Sequence, residues 1–254
     1  RHSASASPIW ADVDANRVWR FRPRPLGGKT STHFIFDEER HAYHRYDLEP
    51  ASRLREPKLD GAASTFEAIA ERLRSTGPVA VIGQGTFGCD TAQRLGELAS
   101  REELRFGSGD KHIPIQYPDL QTSSDGIFNR RGFGERGFRF GHLETLRQLV
   151  KDGAVKAVVL LHDEAFSSAK ETDQIREILG KAAFSLALEP IPSALGEGAA
   201  AQLPVATYLE EQDFVVNHEG ELRRYQKALE PPKGIRPAAA WLGALRDALT
   251  AQPA

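Results

Sequence analysis

Six residues, Gly83-Gln84-Gly85-Thr86-Phe87-Gly88, follow the apolar run Val79 to Ile82 and precede a segment with helical spacing. A G-x-G-x-x-G turn in that position lets backbone N–H groups approach a pyrophosphate at a helix N-terminus. Gly83, Gly85 and Gly88 are therefore the candidate cofactor-binding residues. A dinucleotide site also needs an acid at the end of the next strand, about 20 residues on, to hold a ribose hydroxyl. Asp110 is the candidate, but Phe106-Gly107-Ser108-Gly109 ahead of it reads as a poor strand end. A helical segment precedes the unit, whereas this fingerprint usually sits on the first strand of its domain. A Gly-rich turn closing an ordinary α/β unit is the commoner use of such a run, and both readings stay open at this level.

Other reactive residues carry weaker patterns. His162-Asp163-Glu164 closes an apolar run with Ser167 and Ser168 beyond it, where ligands often approach an α/β sheet. His162 could act there as a base, yet no G-x-S-x-G elbow accompanies it, and a polar residue closing a strand is the commoner explanation. His33, His41 and His44 flank Asp37, Glu38 and Glu39 without a metal spacing such as H-E-x-x-H. Cys89 is the single cysteine. A helix N-terminus beside it could lower its pKa, although a buried small hydrophobe is the usual role of a lone cysteine. One cysteine excludes a disulfide framework and cannot by itself ligate an iron-sulfur cluster.

The elements that must position these residues follow from periodicity. Ile9 to Val13 and Arg17 to Phe21 are β-rich and separated by Asp14-Ala15-Asn16, which predicts a hairpin. Trp19 and Phe21 alternate with Arg20 and Arg22, so the basic run Arg17 to Arg24 reads as one face of a strand. Thr65 is a plausible N-cap for a helix through Phe66, Ile69, Ala70 and Leu73 that stops near Gly77-Pro78. A strand over Val79 to Ile82 and a helix over Thr91 to Leu98 come next. Residues 107 to 141, rich in Gly, Ser, Asp and Arg, read as a long irregular loop. Leu143 to Val150 then reads as a helix, Val155 to Leu161 as a strand, Glu171 to Leu179 as a helix and Phe184 to Leu188 as a strand. Leu203 to Tyr225 looks like irregular β structure, and Ala238 to Leu249 is a closing helix behind Pro231-Pro232. Alternating helices and continuous apolar strands predict a doubly wound, mainly parallel α/β sheet with a small N-terminal β-rich subdomain. The boundary is expected near residue 60, giving 1–60 and 61–254.

With 254 residues, 40% hydrophobic and 27% charged, the chain can bury a sizeable core. The longest apolar stretches, such as Ala157 to Leu161, are far shorter than the ~20 residues of a bilayer-spanning helix, so direct membrane insertion is not expected. The net charge of −2 gives no global field toward nucleic acid. The first residues lack the apolar core of a secretory signal, and a chain that starts at Arg1 and contains no Met reads as processed or trimmed.

Several blocks resemble one family. The stretch Leu203-Pro204-Val205-Ala206-Thr207-Tyr208-Leu209-Glu210, continuing to Asn217-His218-Glu219-Gly220-Glu221-Leu222-Arg223, is similar to the L-P-x-A-T-x-x-E and N-x-E-G-x-x-R pattern of the molybdopterin-oxidoreductase-like region found in the large iron-sulfur subunit of NADH:quinone oxidoreductase, respiratory complex I. Asn129-Arg130-Arg131-Gly132 resembles the family's N-x-R-G loop, and Gly153 to Glu164 resembles a strand ending in its Gly-Glu-Asp type turn. Ser7 to Arg24, Phe36 to Tyr43 and Arg53-Leu54-Arg55-Glu56-Pro57 look like the small domain that in some members binds a four-iron cluster. At its cysteine positions this chain has Ser3, Ser7 and Phe36, and the first falls before Arg1.

The resemblance implies a scaffold that keeps fold and docking surface without cluster or molybdenum ligands, hence no cofactor of its own. It implies a non-catalytic structural or accessory subunit of an NADH:quinone oxidoreductase-like electron-transfer complex, partnered by subunits carrying iron-sulfur clusters or flavin. The expected location is cytoplasmic, peripheral to the inner membrane through those partners. Arg130, Arg131, Arg136 and Arg139, interleaved with Phe128, Phe133, Phe138 and Phe140, suit burial against a partner. The alternative is a nucleotide-binding oxidoreductase using the Gly83 to Gly88 turn.

Overall fold

The computed structural model describes residues 9–14, 17–23, 53–109, 129–162, 169–216 and 220–251. Two antiparallel strands, β1 (Ile9–Asp14) and β2 (Arg17–Pro23), form the expected N-terminal hairpin, with an irregularity between Asp12 and Val13.

The main body is an eight-stranded sheet. Its edge is a tight hairpin of β3 (Lys58–Leu59) and β4 (Ala62–Ala63), joined through Asp60-Gly61, both with positive φ (51° and 79°). Asp-Gly tolerates that backbone, which matches the right-handed twist of the flanking strands. Helix α1 (Phe66–Thr76) starts where expected: the Thr65 hydroxyl accepts from the Ala68 N–H at 3.3 Å. It stops at Gly77, whose φ of 115° suits glycine and which is followed by Pro78.

Strand β5 (Val79–Gln84) leads into α2 (Cys89–Leu98), then β6 (Arg105–Ser108), a short helix α3 (Arg130–Gly134) and β7 (Arg139–Phe140). Helix α4 (Leu143–Lys151), β8 (Ala157–Leu161), α5 (Ala169–Lys181), β9 (Phe184–Glu189), a single turn α6 (Ala194–Glu197) and β10 (Ala201–Pro204) complete the winding. A separate hairpin, β11 (Asp213–Val216) with β12 (Leu222–Tyr225), precedes the closing helix α7 (Ala238–Thr250).

The strand order is β4-β3-β10-β9-β8-β5-β6-β7, with every pair from β10 to β7 parallel and β3 antiparallel to β10. After the β3–β4 edge hairpin the chain crosses to the centre on β5, winds outward through β6 and β7, then returns to β8 on the other side of β5. The switch point of this doubly wound α/β sheet therefore lies between β5 and β8, where such folds bind ligands at the carboxyl ends of the strands.

Covering both faces explains why β5, β8 and β9 are buried throughout. On one face Ile69, Leu73, Leu95, Phe133, Trp241 and Leu242 form the larger core; on the other, Leu146, Ile175, Ile178 and Leu195 pack over Ile82, Phe106 and Leu160.

The expectation of an unbroken irregular loop over 107–141 needs correction. Phe106-Gly107-Ser108 is a buried parallel strand paired to β5, while α3 and β7 organise 130–140. Gly107 is required by the fold: a Cβ there would lie 2.5 Å from Cδ1 of the Phe140 ring. Periodicity misses a four-residue strand containing glycine. Two aromatic residues of this region, Phe133 and Phe138, are also not a free docking surface, while Phe128 lies outside the described residues. Phe133 and Phe138 are 0% and 4% exposed in the chain's own core, packed edge to face at 4.9 Å.

Candidate functional site

Each glycine of the Gly83 to Gly88 turn has a different neighbour. Gly83 is the penultimate residue of β5, and a Cβ on it would meet Phe133 at 2.5 Å, Phe138 at 2.8 Å and Leu95 at 2.9 Å. Gly85 gives its carbonyl to the Asn129 N–H at 2.9 Å. Gly88 is the N-cap of α2, and the space where its side chain would stand holds the carboxylate of Asp213.

That carboxylate sits on the N-terminus of α2. Asp213 accepts from the Asp90 N–H at 2.9 Å, the Thr91 N–H at 3.1 Å and the Thr91 hydroxyl at 3.0 Å. The first turn of a helix carries unsatisfied N–H groups and a partial positive charge. Here a buried carboxylate, 4% exposed, supplies the acceptor and the negative charge from within the chain.

Asn129, the first residue of Asn129-Arg130-Arg131-Gly132, ties the same region together. Its Nδ2 donates to the Phe87 carbonyl at 2.6 Å, and its Oδ1 accepts from the Val216 N–H at 2.8 Å. The Cys89 thiol also donates to Asn129 Oδ1, at 3.5 Å. Gly132 leaves room for this crossing, since a Cβ there would run into Asn129 Oδ1 and lie 2.9 Å from Cys89 Sγ. Burial pushes the Cys89 thiol above its usual range, with Arg136 and the Asn129 hydrogen bond pulling the other way. It is a satisfied thiol, not an activated thiolate.

The L-P-x-A-T-x-x-E stretch makes a second polar cluster. Glu210 binds Arg53 in a two-pronged pair, Nη1 to Oε1 at 3.0 Å and Nη2 to Oε2 at 2.9 Å. Arg53 Nε also donates to the Pro190 carbonyl at 2.9 Å, and Glu210 Oε2 accepts from the Thr207 N–H at 3.0 Å. Arg53 lies in Arg53-Leu54-Arg55-Glu56-Pro57, so two blocks 157 residues apart are joined by one buried ion pair.

At the carboxyl edge, four neighbouring strands end in buried polar residues: Ser108 on β6, Gln84 on β5, His162 after β8 and Glu189 on β9. Strand alternation places all four on the α4/α5 face. Glu189 is held by the Ser193 hydroxyl at 2.6 Å and Gln202 Nε2 at 3.0 Å. Glu171, at the start of α5, accepts from the Gly109 N–H at 2.7 Å. Both ring nitrogens of His162, and the Ser108 hydroxyl, are buried without a hydrogen-bond partner among the described residues. Burial lowers the His162 pKa to about 4, so the ring is neutral near pH 7.

A family model described as molybdopterin oxidoreductase matches residues 61–247, more than half of the chain. The chain belongs to the molybdopterin oxidoreductase family. Among curated proteins none matches it.

Membership implies a molybdopterin cofactor, and the described residues at the switch point do not fit one. The α2 N–H groups that would face a phosphate already bond Asp213, whose charge would repel the incoming anion. The one sulfur in the chain is a buried thiol bonded to Asn129. Among the described residues, no group of three His, Cys, Asp or Glu side chains is close enough together to hold a metal ion. No chemical step through the cofactor is therefore assigned.

Ser3, Ser7, His33, Phe36, His41, His44, Asp110, Asp163, Glu164, Ser167 and Ser168 lie outside the described residues. Sequence reasoning singles out the three glycines, Cys89 and His162, and the structure gathers them at the carboxyl edge. It does not find Asp213, which is 123 residues from Asp90 and has no local pattern. The Arg53 to Glu210 pairing is foreshadowed only by both residues falling in family-like blocks. Among the described residues no helix is long and apolar enough to cross a membrane.

Proposed function

We propose that this chain is a non-catalytic structural or accessory part of an NADH:quinone oxidoreductase-like electron-transfer complex, docked on subunits that carry iron-sulfur clusters or flavin. The observation that carries this reading is the use made of the family-like motifs. Asn129 of the N-x-R-G block bonds Phe87, Val216 and Cys89, and Glu210 of the L-P-x-A-T-x-x-E block bonds Arg53. These side chains join distant segments of the chain and are engaged within it. A domain whose polar motifs are used in this way suits a scaffold. On this reading the protein is cytoplasmic and reaches the inner membrane only through its partners.

The test is capture of the tagged full chain from native extract at near-physiological salt, with the bound proteins identified by mass spectrometry. Co-purification of flavin or iron-sulfur subunits in fixed proportion is expected. A monodisperse chain that elutes alone from fresh extract contradicts the proposal.

A further inference from the structure

The family's cofactor and this chain's residues disagree at the Gly83 to Gly88 turn, and the disagreement has a definite cause. We infer that the β11–β12 hairpin is an internal plug seated on the carboxyl end of β5, with the Asp213 carboxylate standing where an anionic group of a ligand would otherwise meet the α2 N-terminus.

Two independent attachments hold the hairpin there. At its first residue Asp213 takes the Asp90 and Thr91 N–H groups and the Thr91 hydroxyl. At the end of the same strand the Val216 N–H donates to Asn129 Oδ1, and Asn129 is itself fixed to the Phe87 carbonyl inside the turn. The hairpin is braced in turn by Tyr225, whose hydroxyl donates to Glu211 at 2.7 Å. Gly88 is the residue that permits the seating, since a side chain there would collide with the Asp213 carboxylate.

Charge and space exclude a second occupant. A phosphate brought to α2 would have to displace a carboxylate bonded to two backbone amides and a hydroxyl, and the amides cannot serve both. The plug thus keeps a ligand-type turn in a cofactor family while closing it, and Asp213 gives α2 the stabilisation that a bound anion would give. The inference rests on the scaffold reading only in part: a plugged turn is compatible with any partner set.

Thermal melts of the full chain and of Asp213→Asn and Asp213→Ala variants, each with and without millimolar inorganic pyrophosphate, GDP or ADP, decide the matter. The wild-type Tm should not move with any of the three probes. Asp213→Ala should melt lower by roughly 4–8 °C, with Asp213→Asn between it and wild type. A rise in wild-type Tm with pyrophosphate or a nucleotide overturns the inference, because mass action stabilises only what binds the folded state. Equal melting of wild type and Asp213→Ala overturns it as well. Should Asp213→Ala fail to fold, the wild-type and Asp213→Asn melts still decide. Neither result touches partner capture, so failure here is distinguishable from failure of the scaffold reading.

Discussion

Arg53 and Glu210 show how much a single buried pair can matter. Both side chains are nearly inaccessible, 2% and 4% exposed, and the guanidinium also serves two backbone carbonyls. Replacing such a pair by apolar residues can be neutral, but removing one member leaves the other charge buried and alone, at a cost of about 3–5 kcal/mol. Arg53→Met and Glu210→Leu should therefore each lower urea-unfolding stability by more than the double variant Arg53→Met/Glu210→Leu does. A double-mutant cycle in urea checks this, and additive losses contradict it. The pair is not readable in the sequence, because charge pairing between residues 157 apart leaves no periodic trace. The glycines are a contrasting case. Their spacing is plain, but spacing does not say whether a glycine makes room for a ligand, for phenylalanines as at Gly83, or for a carboxylate as at Gly88.

At the level of elements, local rules serve well wherever one residue decides a boundary. Thr65 caps α1 by accepting from Ala68, while Gly77 with its positive φ and Pro78 stop it. Thr65→Ala should cost about 1 kcal/mol, read as a Tm lowered by roughly 2–4 °C, whereas Thr65→Ser should melt close to wild type. A loss for both variants alike would mean that the methyl group and not the hydroxyl matters. The strands of the central sheet are legible for a related reason: Val79 to Ile82 and Ala157 to Leu161 are continuous apolar runs, as burial on two faces demands. Strands β6 and β7 are not. They are short and contain or adjoin glycine, and they hold their places through pairing with β5 and through contacts such as Arg139 over the Phe106 ring at 4.8 Å. Tertiary placement makes them strands where propensity favours a loop.

Across the whole molecule, the winding order collects one polar side chain from each of four central strands at the carboxyl edge, and His162 stands near the middle of that row. The groups on its face are the uncharged Gln84 and Ser108 and the carboxylates Glu189 and Glu171, which are bonded to Ser193, Gln202 and Gly109. With neither ring nitrogen partnered among the described residues, desolvation dominates and the folded-state pKa falls from 6.5 to about 4. The native state then holds fewer protons than the unfolded chain between those two values, so stability rises with pH through that window. It is fully present above pH 6.5, declines as pH falls toward 4 and levels off below. At about 1.4 kcal/mol per pH unit the whole loss is on the order of 3 kcal/mol. Urea melts of wild type at pH 7.0, 5.5 and 4.5 should show this decline beyond whatever the surface carboxylates contribute. His162→Gln keeps a neutral polar side chain at every pH and should lose less stability over the same range. If the two proteins lose stability in parallel, the imidazole is charged in the folded state, and the buried His162 ring at the switch point is not the source of acid sensitivity.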